Sequence, residues 1–186
     1  NSFSDTGFVP DFTVTPPIPR ALFATLNNYP AVSASYQQRR LFAHTNTEPD
    51  SIQGSRVGFP SNFSITSPLQ DDDAISFRLA GVQNHPVRHL FGLRRLIALT
   101  DGGAWNVGEP QVPLTPSDLP ANQETYLGVS SVRPVIIGNT VIYVHGRGST
   151  VHDLRFDQAV EGLGGRDLTI YAAHLFERKT LRRLAY

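Results

Sequence analysis

"RRLIALTDGGAWNV", residues 94–107, sets four apolar residues in an unbroken row behind an arginine pair, breaks at Asp-Gly-Gly, and resumes around the only tryptophan of the chain. A strand with one wet face alternates apolar and polar residues, because successive side chains point to opposite sides. An unbroken apolar run bounded by turn residues therefore predicts a strand covered on both faces. Asp101 beside Gly102 is favoured turn chemistry, so the stretch also predicts a tight hairpin in which Asp101 bends the chain and does no chemistry.

Two further stretches repeat this order of a polar pair, an apolar run and a turn: "QQRRLFAHT" at 37–45 and "IGNTVIYVHGRG" at 137–148. A fourth begins in "KTLRRLAY" at 179–186. Anchored on Arg40, Arg95, Thr140 and Arg182, the steps are roughly 55, 45 and 42 residues, near the period of about 40 to 50 of a four-stranded propeller blade. Inner blade strands are sandwiched by neighbouring blades, which meets the demand for double cover.

The predicted fold is thus all-β, an incomplete propeller-like domain of about three blades over residues 31–186. Partner strands are expected at 74–81, 87–93, 104–108, 132–137 and 151–156, with Gly92, Asp101-Gly102, Gly138-Asn139 and Gly146-Arg147-Gly148 supplying the positive-φ turns. Residues 1–30, with Pro16 and Pro17, predict an extended connector pinned to a surface by Phe8, Phe12, Phe23 and Tyr29. One short helix is expected over 167–177, with Asp167 as its N-cap.

Sixteen basic residues balance sixteen acidic ones, so no global positive field gathers nucleic acid. Any such contact must be local. The arginine pairs Arg39-Arg40, Arg94-Arg95 and Arg182-Arg183 fall at matching points of the repeat, and equivalent positions of a rotational repeat share a ring. These six are the candidates for nucleic-acid contact, and ion pairing to acids of the next blade is the competing and favoured reading. The absence of cysteine excludes disulfides and thiolate zinc sites, and the absence of methionine, even at position 1, predicts a piece of a longer chain.

Other clusters read as structure. Asp71-Asp72-Asp73 lacks the glycine and distal glutamate of a calcium loop and predicts an acidic turn before a strand. His145 and His152 flank a predicted hairpin and are expected to face each other across it, but closed zinc sites use four ligands. His85 and His89 have helical spacing in a strand context. No GxSxG elbow occurs, and "GLGGRD" at 162–167 does not open a βαβ unit. No catalytic residue, metal ligand or cofactor is assigned, although distant paired carboxylates for glycoside hydrolysis stay open.

Taken together, "DTGFVPDFTVTPPIPR", "YPAVSASYQQRRLFAHT", "GSRVGFPSNFS", "DDDAISFRLAG", "VRHLFGLRRLIALTDGGAWNV", "LTPSDLPANQETYLGVSSVRPVIIGNTVIYV" and "GLGGRDLTIYAAHLFE" resemble, in unchanged order, the middle of phage and prophage tail proteins of the nozzle or tail-tubular type. Some of that family stabilise packaged DNA. The resemblance implies a structural component of the virion tail, assembled in the bacterial cytoplasm, with no enzyme activity, no cofactor and no membrane partner. The implied partners are further copies of the chain around the tail axis, adjacent tail or portal-adaptor proteins, and DNA passing without sequence specificity. The alternative is a glycan-binding or glycan-cleaving propeller at the host surface, for which Trp105 is the only tryptophan available to stack on sugar.

Overall fold

The computed structural model describes Thr13 and residues 15–81, 83–157 and 162–186, which form an all-β architecture. Along the chain come β1 (Thr15–Ile18), β2 (Val32–Tyr36), β3 (Arg39–Ala43), β4 (Ser51–Gly54), β5 (Ile65–Ser67) and β6 (Ile75–Arg78). Of these, β2, β3, β4 and β6 form a first antiparallel sheet in that order, while β5 leaves the β4–β6 connection to pair with β1. A second sheet runs in chain order through β7 (Val87–Gly92), β8 (Leu96–Thr100), β9 (Gly103–Val107) and β10 (Ala121–Thr125). The third does the same through β11 (Val135–Ile137), β12 (Thr140–Val144), β13 (Val151–Asp157) and β14 (Gly162–Gly164). Among the described residues no sheet closes into a barrel.

The three repeated stretches become β3, β8 and β12, each the second strand of its sheet. Every residue of β8 and β9 is buried. Leu96 and Ala98 join Leu41, Ile52, Ile75, Trp105 and Val107 in a core between the first and second sheets. Ile97 and Leu99, pointing the other way, join Ala104, Val141, Tyr143 and Leu154 in a core between the second and third. The second sheet is therefore sandwiched, as its unbroken apolar run requires. Each fully buried Leu or Ile contributes about 1.5 to 3 kcal/mol, so neither face of β8 is dispensable.

The turns differ in detail from expectation. Gly138 and Gly148 take positive φ, but Gly92, Gly102 and Gly146 do not; at the β8–β9 hairpin the left-handed residue is Gly103, at φ 151°. A Cβ on Gly103 would collide with the carbonyl of Thr125 on β10, and one on Gly102 would collide with the His85 ring. Close approach of neighbours, more than turn geometry, explains the glycine pair.

The helix expected over 167–177 shrinks to one turn, α1 (Ala173–Phe176). Asp153 N donates to Arg166 O at 3.0 Å and Leu168 N to Val151 O at 2.9 Å, so β13 recruits the start of this segment as a bridge partner. Asp167 does cap, but it caps a turn, accepting from the Thr169 N–H at 2.8 Å. Residues 179–186 form no strand. In the proline-rich segment β1 is extended and rests on β5, and the Phe23 ring packs edge-on against Phe42 at 5.5 Å; Phe8 and Phe12 lie outside the described residues. Among the described residues no helix is long and apolar enough to cross a membrane.

Because both faces of β8 are core, Leu96→Ala and Ile97→Ala are each expected to cost about 2 to 5 kcal/mol in urea unfolding. A one-sided strand would tolerate one of the two at below about 0.5 kcal/mol.

Candidate nucleic-acid interface

The arginine pairs do not share a ring. Arg39, at the start of β3, is only 2 % exposed, and its guanidinium donates to the carbonyl oxygens of Ser55 at 2.8 Å, Asp71 at 2.7 Å, Asp73 at 2.5 Å and Leu114 at 3.2 Å. It is an internal clamp, because a five-donor planar fork can satisfy several converging carbonyls at once. The acidic triplet is a turn before β6 whose carbonyls face this clamp; Asp72 pairs with Arg56, and buried Asp73 accepts from the N–H groups of Thr66 and Gln70. Burial pushes the Asp73 carboxyl up, but the Thr66 hydroxyl first, then these two N–H groups and Arg56, outweigh it and hold the carboxyl below its ordinary range.

Arg40 is exposed beside it, and Arg94 and Arg95 lie in the β7–β8 hairpin, at that same end of the sheets. Arg182 and Arg183 are exposed at the opposite end, near the β12–β13 turn, where Leu181 N donates to Gly148 O at 2.8 Å. None of Arg40, Arg94, Arg95, Arg182 and Arg183 forms an ion pair among the described residues, so the expected pairing with the next sheet's acids is absent for all of them.

A different set of arginines does line up. The second and third sheets each hook their entering chain onto the previous sheet's second-to-third-strand turn: Val87 N donates to Pro49 O at 2.9 Å and Val129 N to Thr100 O at 3.0 Å. The Leu181 bond to Gly148 repeats that hook for the last residues of the chain. Just inside these points stand Arg88, Arg133 and Arg182, within "VRHL" at 87–90, "VRPV" at 132–135 and "LRRL" at 181–184. Arg88 and Arg133 share one cavity wall, Arg88 and Arg182 a second, and Arg133 and Arg182 a third. The three cavities thus adjoin at these arginines, and the largest is an open groove of about 890 Å³ lined by Arg88 of β7 and by loops at the β8–β9 and β12–β13 turns.

Arg147 and Arg183 also line this wall, which gives five arginines to one acid, Asp101. Asp101 bends the chain as expected, but its carboxylate also accepts from Arg88 Nε at 2.6 Å and Nη2 at 2.7 Å. That bidentate bond raises the Arg88 pKa and fixes the direction of its fork. Arg133, Arg147, Arg182 and Arg183 form no ion pair among the described residues. The wall is therefore positive although the chain is neutral.

His89 sits on the same wall, with Nε2 3.1 Å from Ser130 O, and burial first, then Arg88 and Arg133, pushes its pKa down against the effect of that bond. His145 and His152 do face each other, with ring centroids 5.6 Å apart, and burial, His152 and Arg147 depress His145. Among the described residues no three His, Asp or Glu side chains converge as a metal site would require. Trp105 is buried between the first two sheets and presents no face to a sugar. No family model matches the chain, and no curated protein matches it.

The recurring apolar-Arg-x-apolar pattern at 87, 132 and 181 was the signal for the arginine row, and it is obscured because Ser130 and Ser131 separate the hook from the arginine in the third sheet. Removing the Arg39 clamp strands several carbonyls in the interior, so Arg39→Met is expected to cost about 3 to 5 kcal/mol, with little rescue by Lys, whose ammonium has no fork. The depressed histidines bind protons more readily in the unfolded chain, whose ordinary value is 6.5, so the stability they confer is intact above that pH and falls as pH drops below it. The urea midpoint of a His89→Gln, His145→Gln double variant is expected to fall less than that of the native chain between about pH 7.5 and pH 5.

Proposed function

We propose that this chain is a structural part of a bacteriophage or prophage tail or neck, and that its three sheets are consecutive propeller blades whose first strands face a conduit for DNA. Three features support the blade reading: apart from the two-stranded β1–β5 pair, each sheet is a four-stranded antiparallel array, β2 lies against β7 without joining its sheet, and β10 lies beside β14. First strands neighbour first strands and outer strands neighbour outer strands, as in radial stacking.

The observation that carries the functional reading is the row Arg88, Arg133 and Arg182 along three adjoining cavities, with Arg88 on β7, Arg133 just before β11 and Arg182 beyond the last sheet. Arginines without carboxylate partners pair readily with phosphate, and a few contacts on a neutral chain give weak, sequence-independent attachment that lets DNA slide. The glycan alternative lacks a stacking tryptophan, since Trp105 is core.

Duplex DNA binding, measured by fluorescence anisotropy across a salt series, is expected to be weak and indifferent to sequence. Single Ala variants of Arg133 and Arg182 should each lower the slope of log affinity against log salt by about 1. Unchanged slopes would remove DNA from this wall, and virions labelled on this segment with no label at the tail in electron micrographs would remove the tail assignment.

A further inference from the structure

Asp101 is the one acid among the arginines that line the three adjoining cavities, and the hairpin that carries it does not use its side chain. Thr100 supplies the side-chain bonds of that turn, its hydroxyl donating to Gly103 O at 2.9 Å and accepting from Gly102 N at 3.3 Å. The main chain of Asp101 is committed to packing. Its N–H donates to Pro86 O at 3.3 Å, and Gly128 passes so close to its carbonyl that a Cβ there would collide with it. Among the described residues the carboxylate meets only Arg88, through Nε at 2.6 Å and Nη2 at 2.7 Å. The β12–β13 turn of the third sheet carries Arg147 and no acid over residues 145–150, so a turn at this end of a sheet does not need a carboxylate.

The consequence of the Asp101 carboxylate therefore falls on Arg88. The Nε–Nη2 edge of a guanidinium holds a carboxylate or a phosphate by the same two parallel bonds. Asp101 stands where one phosphate would stand. A closed arginine–carboxylate pair has no net charge and releases no counterion when DNA arrives, whereas an unpaired arginine does. Arg88 lines two of the three cavities, so the pair neutralises the arginine at which they adjoin. It does so within reach of solvent, each side chain being 34 % exposed, and the fork would face the groove if the carboxylate were removed.

We propose that Asp101 is an internal phosphate mimic that keeps Arg88 out of contact with DNA. Arg133 and Arg182, which have no carboxylate partner among the described residues, make the phosphate contacts, and the wall grips by one contact fewer than its arginines could supply. A phosphate that reaches Arg88 must displace a carboxylate tethered beside it, which the folded chain presents at all times. The inference rests on the DNA reading of this wall and assigns Asp101 as the residue that limits its hold.

The test applies the salt series to Asp101→Asn, whose amide keeps the size of the side chain and an acceptor oxygen. Freed Arg88 adds one phosphate contact, so affinity for a mixed-sequence duplex is expected to rise about fivefold at about 0.1 M salt, and the slope of log affinity against log salt to steepen by about 1. A second readout separates direct contact from a general change of charge. The Arg88 Nε–H resonance, followed by NMR, is expected to stay in place when the native chain is titrated with duplex and to move saturably in Asp101→Asn. Movement in the native chain, a resonance unmoved in both chains, or unchanged affinity and slope in Asp101→Asn overturns the proposal. The native titration requires no variant to fold. If Arg133→Ala and Arg182→Ala lower the slope while Asp101→Asn matches the native chain, this inference alone falls; if all three variants keep the native slope, the DNA reading of the wall falls and this inference with it.

Discussion

The structure depends on the burial of one short ribbon from two sides. Leu96–Thr100 sends Leu96 and Ala98 into one core and Ile97 and Leu99 into another, so the second sheet must have a neighbour on each face. Sheets stacked in this way place their turns at common ends and their first strands along a common wall. The arginine groove is a consequence of that stacking, and it runs where first strands adjoin.

Arginine serves three distinct ends in this frame. Arg39 spends its donors on backbone carbonyls and joins the first sheet to the Asp71–Asp73 turn and to Leu114 beyond β9. Arg88 is oriented by a bidentate carboxylate, and Arg133 and Arg182 are left without one. A neutral net charge thus conceals a strong local separation, because acids such as Asp72 and Asp73 are drawn to Arg56 in the loop after β4, away from the groove. In the conduit we propose, a short positive row on a neutral body would hold phosphate loosely, whereas a basic surface would retain it.

Much of this frame is legible in the residues. The runs that became β3, β8 and β12 announce themselves by consecutive apolar residues, although only β8 of the three is buried throughout. Strand β10, with Ala-Asn-Gln-Glu-Thr, gives no such signal: it is an outer strand held by its ladder to β9, and pairing of that kind leaves no mark in composition. The β2–β3 turn is equally silent, since Gln37 and Gln38 adopt positive φ, which glutamine does not favour. Gln37 is held there by long-range bonds, donating to Val112 O at 2.9 Å and accepting from Leu114 N at 2.8 Å. The helix is shortened for the converse reason, the start of its segment at Arg166–Leu168 being bonded to β13. As for the groove, the matching arginine pairs pointed to a ring, but pairing register placed them at opposite ends; the row that does form uses one of the six, Arg182.

Backbone amide hydrogen exchange reads the two-sided burial directly. The account predicts that the amides of Leu96–Thr100 exchange only through global unfolding and are the slowest in the chain, while those of β10 and β14, on the outer margin, open locally and exchange faster. Exchange of Leu96–Thr100 at the rate of those outer strands would mean that the second sheet is not enclosed between its neighbours, and the wall built on that enclosure would be lost with it.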